Sequence, residues 1–147
     1  MSRGWLIWLV LASWSWLGLS GCGMLAKKIE SPQESYVAAS NDFMKRLRWK
    51  DFQGAAKYFV DEEKEPFLEQ LRRIEKDLNI TDVRLESAEY LEQSQTMETW
   101  LVLEYFRLPS PTVKHLRFAQ QWKFSAAGEN APRVWRIVSN FPSLTED

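Results

Sequence analysis

Val113-Lys114-His115-Leu116-Arg117-Phe118-Ala119-Gln120-Gln121-Trp122-Lys123-Phe124 is the run on which the fold turns. Leu116, Phe118, Gln120, Trp122 and Phe124 fall in one phase, His115, Arg117, Ala119, Gln121 and Lys123 in the other. Successive side chains of a strand point to opposite faces, so a period of two predicts a strand with one apolar and one polar side. Such a strand belongs in an antiparallel sheet covered on one face.

Working outward, Pro109-Ser110-Pro111 separates this run from an earlier one, Thr99 to Leu108, which is rich in aromatic and β-branched residues. From Ile80 another period-two stretch begins with Thr81, Val83 and Leu85 and passes to Ala88 and Tyr90, an offset that predicts a bulge near Ser87. Downstream, the loop Gly128-Glu129-Asn130 leads into Arg133 to Asn140. Four strands in sequence with short links predict an antiparallel meander.

Before Ile80 the period is helical. Ser31-Pro32-Gln33-Glu34 has the form of a capping box with proline at the first helical position. Tyr36, Ser40, Phe43 and Leu47, joined by Val37 and Met44, then make a core-facing stripe, with Asp42, Lys45, Arg46 and Arg48 opposite. Asp51 caps a second, shorter helix bearing Phe52, Ala55, Ala56, Phe59 and Val60, weakened by about 1 kcal/mol at Gly54 relative to alanine. After an acidic turn, Asp61 to Glu65, Pro66 opens a third helix with Phe67, Leu71, Ile74 and Leu78 at helical spacing and a stop at Asn79. Helices followed by strands predict an α+β domain over residues 31–147, three N-terminal helices packed on one face of a curved four-stranded antiparallel sheet.

This order, with Trp49-Lys50-Asp51-Phe52, Ala55-Ala56 and the closing Trp135-Arg136-Ile137-Val138, resembles the nuclear transport factor two-like superfamily, a cone-shaped fold shared with ketosteroid isomerases. The resemblance covers most of Ser31 to Phe141 and implies a concave space between helices and sheet. It carries no residue-level functional motif.

The first twenty-one residues are a different polymer. They carry no acid, one base (Arg3) and four of the eight tryptophans, and Gly4 to Leu17 is an uncharged apolar run. That is the layout of a secretion signal, too short for the roughly 20 residues a bilayer span needs. Leu19-Ser20-Gly21-Cys22 resembles the bacterial lipobox: an aliphatic residue, two small ones and the cysteine that becomes the new N-terminus. The resemblance implies a diacylglyceryl thioether on Cys22 and cleavage before it by the lipoprotein signal peptidase, which recognises Leu19, Ser20 and Gly21. Residues 22–30 then form a lipidated tether. Acyl chains contribute roughly 0.8 kcal/mol per buried methylene, so two chains anchor a protein unaided. Gly23, where enterobacterial lipoproteins retained at the inner membrane carry aspartate, implies the outer membrane facing the periplasm, with inner membrane and cell surface left open.

Without residues 1–21 the chain keeps 18 basic and 20 acidic side chains, about −2. That balance supplies no field for phosphates, so nucleic acid is not an expected partner. One cysteine excludes an internal disulfide, and with a single histidine it also excludes a Cys/His metal cluster. No metal or cofactor is expected.

The site is less legible. Catalysis of the ketosteroid isomerase type needs a carboxylate base and oxyanion donors inside an apolar cone. Asp42, Tyr36, Tyr58, Glu104 and Tyr105 have that chemistry, but no spacing makes them converge. His115 lies in the polar phase of its strand and reads as a surface residue. The charged helical face of Glu69, Gln70, Arg72, Arg73, Glu75, Lys76 and Asp77 reads as solvated. A pocket, where one exists, would be lined by Tyr36, Trp49, Tyr58, Tyr105 and Trp135. In the run Thr99 to Leu108 both phases are apolar, Trp100, Val102 and Phe106 on one side and Leu101, Leu103 and Tyr105 on the other. The helices cover one; a partner, a terminal segment or a second copy must cover the other, which motivates a homodimer through the sheet. The expectation is a lipid-anchored envelope lipoprotein whose domain binds a small ligand or a protein without catalysis. The alternative is a pocket enzyme acting on a small apolar molecule.

Overall fold

A computed structural model describes residues 31–126 and 130–144. The expected signal, lipobox and tether lie outside them, as do Gly128 and Glu129 of the expected loop. The described residues form an α+β unit in the order α1 (Pro32–Arg48), α2 (Phe52–Ala56), α3 (Asp61–Ile74), β1 (Leu78–Leu91), β2 (Thr96–Arg107), β3 (Ser110–Ala126) and β4 (Arg133–Ile137). The strands form one antiparallel sheet in sequential order, as the meander requires.

The capping box is present in full: Glu34 N–H donates to Ser31 Oγ at 3.2 Å and Ser31 N–H to Glu34 Oε2 at 3.1 Å. Tyr36, Ser40, Phe43 and Leu47 are the buried stripe of α1. Val37 is not part of it. It lies a quarter-turn beyond Tyr36 and is 55% exposed.

Strand limits differ from the sequence expectation, with β2 starting at Thr96 rather than Thr99, β3 at Ser110 rather than Val113 and β4 ending at Ile137 rather than Asn140, and so do three helix boundaries. α3 starts at Asp61 rather than Pro66, which sits at its sixth position. Pro66 has no N–H to offer, so one intrahelical bond is lost, but Asp61, Glu62 and Glu63 occupy the first turn where the helix dipole favours acids. α2 ends at Ala56 rather than running to Val60, because Phe59 makes a parallel bridge to Ile137. Val60 N–H donates to Ile137 O at 3.0 Å, and Ile137 N–H to Tyr58 O at 2.7 Å. The third helix stops at Ile74, and β1 starts at Leu78, ahead of the expected stop at Asn79.

The bulge near Ser87 is present, where register shifts between Leu85 and Ser87. A second lies between Ile80 and Asp82 and resets the phase, so Leu78, Ile80 and Val83 are buried while Thr81 and Leu85 are exposed. β3 follows its expected alternation: Phe118, Gln120 and Trp122 are buried, and His115, Arg117, Ala119, Gln121 and Lys123 are exposed. The core lies between this face and the helices, and each fully buried Leu or Phe contributes about 1.5–3 kcal/mol. After β4 the chain returns to that core through Phe141, whose ring meets Phe67 at 5.2 Å and Phe118 at 5.5 Å.

Candidate functional site

Trp122, 1% exposed, reaches from β3 toward α1 and fills the middle of the space beneath the sheet. Its ring meets Tyr36 and Phe43 edge-on at 5.6 Å each and Tyr58 at 5.8 Å. Tyr36 continues to Trp135 at 5.4 Å, and Phe43 to Phe59 at 5.9 Å. Such pairs contribute about 0.5–1.5 kcal/mol beyond their buried area. Both indole donors are satisfied. Trp122 Nε1 donates to Gln120 Oε1 at 2.9 Å, and Trp135 Nε1 to Pro32 O at 2.9 Å and Ser35 Oγ at 3.0 Å.

A small polar set is sealed in with the rings: Ser40, Thr96, Thr99 and Gln120 are buried. Thr99 Oγ1 donates to Gln120 O at 2.9 Å, and burial pushes the Tyr36 hydroxyl pKa up while Ser40 and Thr99 pull it the other way. Gln120 Nε2 is the one atom of this set without a hydrogen-bond partner among the described residues.

At the rim, where the C-terminal half of α1 meets α2, four charged and aromatic groups converge. Tyr58 Oη donates to Asp42 Oδ2 at 2.7 Å, Arg46 Nε donates to the same oxygen at 2.5 Å, and Arg46 Nη1 donates to Asp51 Oδ2 at 2.6 Å. Asp51 in turn accepts the Gly54 N–H at 2.9 Å as the cap of α2. The Arg46 guanidinium, then the Tyr58 hydroxyl, hold the Asp42 carboxyl below the ordinary carboxylate range. Burial first, then the bond to Asp42, pushes the Tyr58 phenol up to about 12. A general base needs its pKa raised toward neutrality, and a proton donor needs its own lowered; these two move the opposite ways. Beside them lies a surface cleft of about 300 Å³ bordered by Asp42, Lys45, Arg46, Trp49 and Asp51.

The five residues expected to line a pocket are therefore divided. Tyr36, Tyr58 and Trp135 stand together around Trp122 or one ring away from it. Tyr105 is buried farther along β2, paired with Ile80 and Lys114. Trp49 is 75% exposed at the end of α1 and borders the rim cleft instead. Of the carboxylates with acid–base chemistry, Asp42 meets Tyr58, whereas Glu104 lies on the other side of the sheet. Cys22 and the lipobox are outside the described residues. Among the described residues no group of three or more metal-ligating side chains comes together.

That other side carries Glu104, which accepts from Arg84 Nη1 at 2.5 Å and lies 3.4 Å from His115 Nε2. Arg117 donates through Nε to Glu86 at 2.5 Å and lays its guanidinium 3.9 Å above the Trp100 ring. Val102, cross-strand from both Arg84 and Arg117, is only 8% exposed, so arginine stems supply part of the cover that this apolar phase requires. Trp100 remains 40% exposed.

No protein-family model matches the sequence, and no curated protein matches it. Among solved structures, the chain is similar to one described as a SnoaL-like polyketide cyclase (carbohydrate phosphatase) from Mesorhizobium loti, with a TM-score of 0.42 and 10% identity, over 71% of this chain and 98% of that one. At that TM-score the likeness adds nothing to the architecture, which stands on its own register and packing.

Proposed function

We propose that this chain is a cell-envelope lipoprotein, held to a membrane by acyl chains on Cys22, and that its α+β domain acts by binding rather than by catalysis. The observation that carries the reading is the run Leu19-Ser20-Gly21-Cys22 directly after an uncharged apolar stretch. The filled interior supports its second half. Where a cone would enclose a substrate, Trp122 and its ring neighbours leave packed side chains. The enzyme alternative needs a carboxylate and a tyrosine converging on an enclosed apolar space; the pair that converges, Asp42 and Tyr58, does so at the rim, with the carboxylate neutralised by Arg46. Gly23 favours the outer membrane as the place of attachment.

The test is Cys22→Ser in the full chain, followed by membrane fractionation and mass spectrometry of the N-terminus. The unaltered chain is expected in the membrane fraction with a diacylglyceryl-modified Cys22 at its start. The variant is expected to lose both the modification and the cleavage. A Cys22→Ser chain that is still cut and still retained removes the anchor.

A further inference from the structure

Trp49 is the most exposed large apolar side chain among the described residues, at 75%. It stands at the C-cap of α1, at the end of an outer face that also presents Val37, Ala38, Asn41, Lys45 and Arg48 to solvent. Lys45 and Arg48 make the C-terminal half of that face basic, while Glu34 at its start, and one carboxylate of the cluster of Asp42, Arg46 and Asp51 beside it, remain negative. Glu34 is tied back to the Ser31 amide, and Asp42 and Asp51 are both held by Arg46. Among the described residues Lys45 bonds no carboxylate, Arg48 is only loosely placed at 3.9 Å from Asp82, and the Lys50 ammonium donates to a neutral carbonyl, Glu75 O, at 2.7 Å. A basic stripe ending in an exposed indole therefore stands out on a chain whose side chains from Cys22 onward, the stripe included, sum to about −2.

Geometry places this stripe within reach of a bilayer, given the anchor proposed above. The nine residues from Cys22 to Glu30 can span at most about 30 Å, and α1, at 17 residues, is about 25 Å long. The tether enters at the N-terminal end of the helix whose far end carries Trp49. A helix lying flat on the surface has both ends at the headgroups. Indole rings concentrate at the membrane–water interface, and lysine and arginine are drawn to anionic headgroups while their stems lie along apolar surface. The contact need not be strong alone, because a short tether makes it intramolecular at high effective concentration.

We propose that the outer face of α1 rests on the anionic headgroup layer of the membrane that holds Cys22, with Trp49 inserted at the interface. This rests on the lipid-anchor reading and adds to it a second point of attachment that fixes the orientation of the domain.

The test uses the mature lipoprotein reconstituted into phosphatidylethanolamine/phosphatidylglycerol vesicles whose acyl chains are brominated near the headgroup, comparing the native protein with Trp49→Phe and with Lys45→Glu/Arg48→Glu. Flotation reads the anchor and tryptophan quenching reads the face. Native protein is expected to float and to be quenched, with most of the quenching lost in Trp49→Phe and reduced in the charge variant while both still float. Because Trp49 is mostly exposed, its replacement leaves the core intact, and buried Trp122 and Trp135 supply an unquenched reference. Equal quenching with and without Trp49, or none in a protein that floats, overturns the proposal and leaves the anchor standing; the latter result points to a protein occupant for the face. A mature chain that does not float overturns both.

Discussion

Asp42 receives two donors on a single oxygen, Tyr58 Oη and Arg46 Nε, and this shared acceptor joins α1 to the segment after α2. Each partner shifts the other in a predictable direction. The Tyr58 phenol, raised from 10 to about 12 by burial and then by Asp42, is neutral in the fold under conditions where an unfolded chain would already ionise it. Its contribution to stability is therefore fully present below pH 10 and is lost as pH rises through about 12. Asp42 works at the other end. Its carboxyl is lowered, so its contribution is present above the ordinary value of 3.8 and is lost as pH falls through the depressed one. In an alkaline absorbance titration, Tyr58→Phe is expected to remove one late-ionising tyrosine, and Asp42→Asn to bring that tyrosine's ionisation to lower pH. A tyrosinate curve unchanged by Asp42→Asn would show that the hydrogen bond does not hold the phenol.

At the scale of elements, α2 depends on its cap. A Cβ added at Gly54 would lie 2.0 Å from Asp51 Oδ2 and 2.1 Å from Arg46 Nη1. Arg46 is long enough to withdraw, but Asp51 cannot move without releasing the Gly54 amide it caps. Alanine gains up to about 1 kcal/mol of helix propensity, less in a five-residue helix, against about 1 kcal/mol for the cap plus the pair with Arg46. Gly54→Ala is therefore expected to lower stability by about 1 kcal/mol in denaturant unfolding; a neutral or stabilising result would mean the cap contributes little. Local signals of this kind were readable in advance. The capping box at Ser31, the Asp51 cap, the β3 alternation and the bulge near Ser87 all depend on residues a few positions apart. What escaped the sequence depends on distant ones. α2 is cut short by a bridge to Ile137, and α3 begins before Pro66 because Val60 is held by the same strand. The site divides likewise: Trp49 looks like a pocket residue by type, yet two positions past buried Leu47 a helix has turned about 200°, and the ring faces out. The meeting of Asp42 with Tyr58 spans sixteen residues and a reversal of the chain, for which no spacing rule exists. Gln120, a polar residue in an apolar phase, was the visible hint of the buried polar set.

For the whole molecule, the two faces of the sheet pose opposite problems. The inner face is closed by three helices and the Phe141 segment, with rings packed around Trp122, so the binding role proposed above is expected to use a surface. The outer face of α1 is the surface proposed for the membrane, and the outer sheet face is a second candidate. There the chain covers itself incompletely: Arg84 and Arg117 lie across Val102 and Trp100, each steered by an acid, Glu104 and Glu86. Both arginines are about half exposed, so their ion pairs are weak and screened by salt. We propose that copies of the chain associate through this face, with the arginines swinging aside and Trp100 at the centre of the contact. Because loosening the arms precedes contact, association should strengthen, rather than weaken, as salt is raised from low to moderate concentration. Sedimentation velocity of the acyl-free chain is expected to show a dimer fraction that rises with salt and disappears in Trp100→Glu, while Arg117→Ala, which uncovers the indole without adding charge, should favour the dimer already at low salt. A monomer in all three proteins at every salt concentration would leave Trp100 as an indole shielded only by Arg117, and the sheet with no part in self-association.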